Sequence, residues 1–134
     1  MRILSLYFAH DANCTLLEYG EPVAVIEKER LTRKKHDHGP MDLEPILEAY
    51  GWHPDSIDLV VFNPYIVTAD RANFQWQLEG GTYQERANYR QGGWSGPVDN
   101  RFSRHRIGMF GRWYDGYAVD HHLAHVAGAL FTSP

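Results

Sequence analysis

The apolar positions of this chain fall into short runs whose period changes along the sequence. Residues 2–8 carry Ile3, Leu4, Leu6, Tyr7 and Phe8, a pattern that predicts a buried strand. Ala9-His10-Asp11-Ala12-Asn13 interrupts it with a short polar turn, and Cys14 to Tyr19 supplies a second strand. After Gly20-Glu21, a third strand runs from Pro22 to Glu27 with Val23, Ala24, Val25 and Ile26. Three short strands joined by tight turns predict an antiparallel meander. The period then becomes helical. Leu43, Ile46, Leu47 and Tyr50 share one helix face, Pro45 fits a first turn begun at Asp42 to Glu44, and Gly51 is a natural stop. His53 to Asp58 leads into Leu59-Val60-Val61-Phe62, a continuous apolar run of the kind found in buried parallel strands, which Asn63-Pro64 ends. Arg112 to Val119 predicts a last strand, and from His121 the pattern is helical again, with Asp120 placed to cap the helix. The sum is an α/β fold, a strand meander followed by βα units.

Residues 65–112 have a different character. Phe74, Trp76, Tyr83, Tyr89, Trp94 and Phe102 are scattered among glycines and arginines. Seven arginines (71, 86, 90, 101, 104, 106 and 112) stand against four acids (70, 79, 85 and 99), so the stretch is +3 in a chain of net charge −4. The expectation is a variable insert within one domain spanning 1–134. It serves either as a binding loop or lid, or as a surface packed on a partner domain or second subunit.

Composition narrows the class. With 43% apolar and 22% charged residues, the chain has the make-up of an ordinary globular domain. Its acidic balance argues against nucleic acid as a partner. The single cysteine, Cys14, excludes an internal disulfide framework and suits a reducing, cytoplasmic setting. No apolar run approaches a membrane span, and the first residues lack a cleavable signal pattern. Thr132-Ser133-Pro134 follows a helical run directly, so a fragment of a longer chain is expected.

Three stretches hold candidate chemistry. The first turn presents His10 and Asp11 among small neighbours; a ligand-facing turn and an Asx-type turn with a solvated histidine both fit. Glu27 to His38 is dense in both signs of charge. It is either a solvated strand end and loop, or a place where Arg30, Arg33, Lys34 and Lys35 meet a phosphate or carboxylate. His121 and His125 are four residues apart, which on a helix puts both imidazoles on one face; a metal clamp and a chance pairing both fit, while His122 points about 100° away.

Taken together, Leu6 to Ala12, Ala24 to His36 and Asp120 to Pro134 resemble the N-terminal part of the O-carbamoyltransferase family, which includes the nodulation-factor and antibiotic carbamoyltransferases. Ala9 stands where many relatives have glycine. The resemblance implies the N-terminal lobe of an actin/sugar-kinase/heat-shock-ATPase-like superfold. It implies catalytic roles for His10 and Asp11, with His10 as general base, and nucleotide or donor binding by Arg30 and Lys35. His121 and His125 resemble the ligands of a divalent metal, iron first, with zinc or manganese as alternatives; a third ligand, an aspartate, comes from a later part of such chains. The implied reaction moves a carbamoyl group from carbamoyl-adenylate to a hydroxyl of a sugar or natural product. ATP and carbamoyl phosphate are the substrates from which another domain of the full-length enzyme makes the donor. The implied partners are the small-molecule acceptor, carbamoyl-adenylate, the remainder of the chain and a second copy of it. The isolated fragment is expected to be inactive. Two further classes stay open: a sugar-kinase-like phosphotransferase lobe, against which the lack of an Asp-Gly-Thr style turn in residues 8–13 counts, and a non-catalytic assembly domain.

Overall fold

The computed structural model of the chain describes residues 1–8, 11–62, 75–78, 102–119 and 124. The expected meander is present as β1 (Arg2–Tyr7), β2 (Asn13–Glu18) and β3 (Glu21–Glu27), each antiparallel to the next. The helix predicted around Pro45 is α2 (Leu43–Ala49), with the proline in its first turn, where it removes no helical hydrogen bond. Gly51 follows it at φ 68°, a left-handed conformation that glycine takes without steric cost. The run at 59–62 is β4 (Leu59–Phe62), parallel to β1. The last strand is β7 (Arg112–Val119), parallel to β4.

Two local expectations change. The charged stretch after β3 is not only loop: α1 (Lys28–Thr32) forms at its start, ending on Arg33 in the left-handed region. The range 65–112 also contributes to the sheet. β5 (Gln75–Leu78) and β6 (Phe102–Met109) extend it beyond β7, giving seven strands in the order β3-β2-β1-β4-β7-β6-β5. In β6 the buried Ile107 and Met109 alternate with the exposed Arg104 and Arg106, a two-residue period obscured in sequence by the surrounding glycines and arginines.

Register explains why one face of the sheet is the core. Cys14 pairs with Ile26 and with Leu6, Leu6 with Phe62, and Phe62 with Ala118. One step along, Ala24, Leu16, Leu4, Val60 and Gly116 form a second row. Because side chains alternate, both rows face the same side, where Leu43, Ile46 and Leu47 of α2 cover them with Met41, Trp52 and Ile57. Gly116 sits where a Cβ would lie 2.4 Å from the Val60 carbonyl oxygen, so the close approach of β7 to β4 depends on glycine. Among the described residues, no helix is long and apolar enough to cross a membrane.

Candidate functional site

Because β1, β4 and β7 are mutually parallel and aligned, they end at one edge of the sheet, at Tyr7, Phe62 and Val119. The carboxyl ends of parallel strands are where open α/β sheets place their ligands. Asp11 follows β1 at this edge, and β7 reaches it with Val119.

The 27–39 segment returns to the same edge. Glu27 at the end of β3 pairs with Asn13 at the start of β2, so whatever follows β3 must pass beside the turn that precedes β2. Backbone bonds then fasten the two together. The Lys28 N–H donates to the Ala12 carbonyl (2.8 Å), the Ala12 N–H to the Asp37 carbonyl (3.0 Å) and the Gly39 N–H to the Phe8 carbonyl (2.9 Å). The Lys28 ammonium donates to the His38 carbonyl at 2.7 Å.

Inside this enclosure Asp37 is buried, at 7% exposure. Its carboxylate accepts from the Thr32 hydroxyl (2.8 Å) and the His38 N–H (3.0 Å), with Lys34 and Lys28 ammonium groups at 3.7 and 3.9 Å. The Thr32 bond, followed by the two lysine charges, holds its pKa below the usual carboxylate range despite burial. The ion therefore exists as a charge with every strong partner nearby, and it fixes the loop between Thr32 and Gly39.

Asp11 and His36 face each other on the outer side. Both adopt left-handed backbones, at φ 56° and 55°. His36 Nδ1 lies 2.6 Å from Asp11 Oδ1, and the His36 N–H donates to Glu29 Oε2 at 3.1 Å. The bond to Asp11 and its charge raise the His36 pKa above the ordinary histidine value, with a smaller push from Glu29. Asn13 Nδ2 donates to the Asp11 carbonyl at 3.0 Å, so the turn has an Asx-like brace as well as a charged partner.

The cations of the segment divide into two groups. Arg30 is engaged by Glu27 at 3.0 Å and Glu29 at 3.8 Å, which raises its pKa and leaves its charge largely matched. The Lys35 ammonium and the Arg33 guanidinium are exposed and make no hydrogen bond or ion pair among the described residues, although the Arg33 N–H closes α1 on the Glu29 carbonyl at 2.9 Å. Of the two cations assigned to ligand binding from sequence, Lys35 is thus available and Arg30 is occupied. His10, His121 and His125 lie outside the described residues. Ala124, between the two histidines of the pair, is helical and exposed.

Glu29, Thr32, His36 and Asp37 are the residues that sequence inspection passed over as individuals. The signal that could have found them is the length of the β2–β3 hairpin, which brings residue 27 back beside residue 13. A separate cleft of about 490 Å³ lies between Pro40 to Glu44 and the β6–β7 turn at Met109 and Phe110, with an apolar floor and the exposed carboxylates of Asp42 and Glu44.

The family model described as Carbamoyltransferase N-terminus matches residues 2–93, well over half of the chain, and so covers the whole enclosure from β1 to Gly39.

Proposed function

The chain belongs to the carbamoyltransferase N-terminus family, and from that premise we propose that it contributes the transfer site of an enzyme that moves a carbamoyl group from carbamoyl-adenylate to a hydroxyl of a sugar or natural product. Carbamoyl transfer is the chemistry of the family; the adenylate donor and the hydroxyl acceptor are the finer parts of the proposal. The observation that carries it is the meeting of the 8–12 turn with the 27–39 segment at the carboxyl edge of β1. A meander followed by a parallel strand also supports the actin/sugar-kinase-like superfold that the resemblance implies.

In this reading His10 accepts the proton of the attacking hydroxyl. A histidine suits that task because its unperturbed pKa lies near neutrality. Asp11 orients the turn through His36. Lys35 and Arg33, exposed and unmatched, attract the phosphate of the donor, and Arg30 holds α1 to its own acids. His121 and His125 would hold a divalent ion. Their four-residue spacing would put both imidazoles on one face of a helix, and such an ion, when bound, supplies positive charge for oxygen atoms that gain electron density.

The test separates the two steps of the full-length enzyme. His10→Asn is expected to depress carbamoyl transfer to the acceptor by 10²-fold or more, a magnitude typical of a lost general base. ATP- and carbamoyl-phosphate-dependent formation of carbamoyl-adenylate should stay at the wild-type rate. Equal loss of both steps would refute the assignment of His10 to transfer.

A further inference from the structure

We propose that Asp11, Glu29 and His36 form a binding site for a divalent first-row transition metal, a ligand set that does not draw on His121 or His125. One ligand atom of each residue lies within 4.8 Å of those of the other two. Three points so related have a common centre no more than about 2.8 Å from each, against the roughly 2.0–2.2 Å of nitrogen and carboxylate bonds to zinc. Side-chain shifts of under about 1 Å, with the Asp11–His36 hydrogen bond opening and the half-buried Glu29 moving in, would close the set.

The donor set is chemically mixed. It joins one imidazole to two carboxylates drawn from three separate places in the chain: the β1–β2 turn, α1 and the loop that follows it. His36 Nδ1 and Asp11 Oδ1 are hydrogen-bonded to each other at 2.6 Å, and the His36 N–H holds the Glu29 carboxylate beside them at 3.1 Å. The neighbouring lysines do not fill that space, since Lys28 and Lys34 are turned to Asp37. Among the described residues, the cation near Glu29 is Arg30, whose shorter contact is to Glu27. Imidazole with two carboxylates suits zinc, manganese or ferrous iron, whereas magnesium and calcium prefer all-oxygen sites. With three protein ligands on an exposed surface, the remaining positions are open to water or to an oxygen of a ligand.

Bound metal would replace the Asp11–His36 ion pair by a cross-link among three segments, so affinity and thermal stability should move together. The experiment titrates the full chain with Zn²⁺ alone by calorimetry, in a His121→Ala/His125→Ala background that removes the other expected site. One equivalent is expected to bind, with a matching rise in melting temperature. Adding Glu29→Gln or His36→Gln to that background should each weaken binding at least tenfold and abolish the rise, while His53→Gln should leave both unchanged. Circular dichroism confirms that each variant is folded. If the background variant takes up no zinc, or if Glu29→Gln binds it as tightly, the proposal is wrong, whatever becomes of His10 or the histidine pair.

Discussion

Cys14 illustrates how a single buried atom responds to its surroundings. Its side chain is 0% exposed, and burial pushes the thiol from 9.0 to about 11. An unfolded chain loses this proton near pH 9, whereas the folded chain keeps it until about pH 11. The folded state therefore binds more protons in that window, and stability falls as pH rises through it. A shift of this size corresponds to about 2–3 kcal/mol, fully present below pH 9 and gone above about pH 11. Urea unfolding measured across pH 8 to 11.5 should show this decline, and Cys14→Ala should remove it. The native thiol should also resist iodoacetamide at pH 8, since only the thiolate reacts. A sequence reading anticipates this residue well: a lone cysteine on the buried face of a strand is a small apolar group.

At the scale of elements, legibility follows periodicity. β1, β4 and α2 each carry a pattern strong enough to identify them, and Pro45 and Gly51 mark the start and stop of the helix. α1 was hidden because its five residues bury nothing and thus leave no apolar period. β6 was hidden because its alternation is written in arginines. The contact between β4 and β7 shows a further kind of information, a glycine that is needed for space rather than for a turn. At Gly116 an added methyl would meet backbone first, the Val60 carbonyl oxygen at 2.4 Å, ahead of the Ile107 side chain at 3.1 Å. Gly116→Ala should destabilise the chain by about 1–3 kcal/mol through forced separation of the two strands. The readout is a lower urea midpoint at unchanged slope; an unaltered midpoint would mean that β7 can shift without cost.

The whole molecule joins features that are distant in sequence. Asp11 and the 27–39 segment are far apart in the chain, and the antiparallel register of β1, β2 and β3 brings both to the sheet edge where β1, β4 and β7 end. The motifs themselves were visible in the sequence. The pairing of Asp11 with His36 was not, because it depends on hairpin register rather than on any local pattern. The opposite end of the sheet order has its own consequence. β3 is an edge strand, and while Ala24 and Ile26 pack toward the core, Val23 and Val25 on its other face are 42% and 64% exposed, with Tyr19 at 82% beside them. An edge unpaired among the described residues, with bare β-branched side chains, is a template for pairing, and Pro22 guards only its first residues. This chain is therefore expected to self-associate through β3. Light scattering over a dilution series should show mass rising with concentration, and Val25→Lys, which places a charge on the edge without touching the core, should return the chain to monomer. A wild-type chain that stays monomeric at every concentration would show that β3 is already protected.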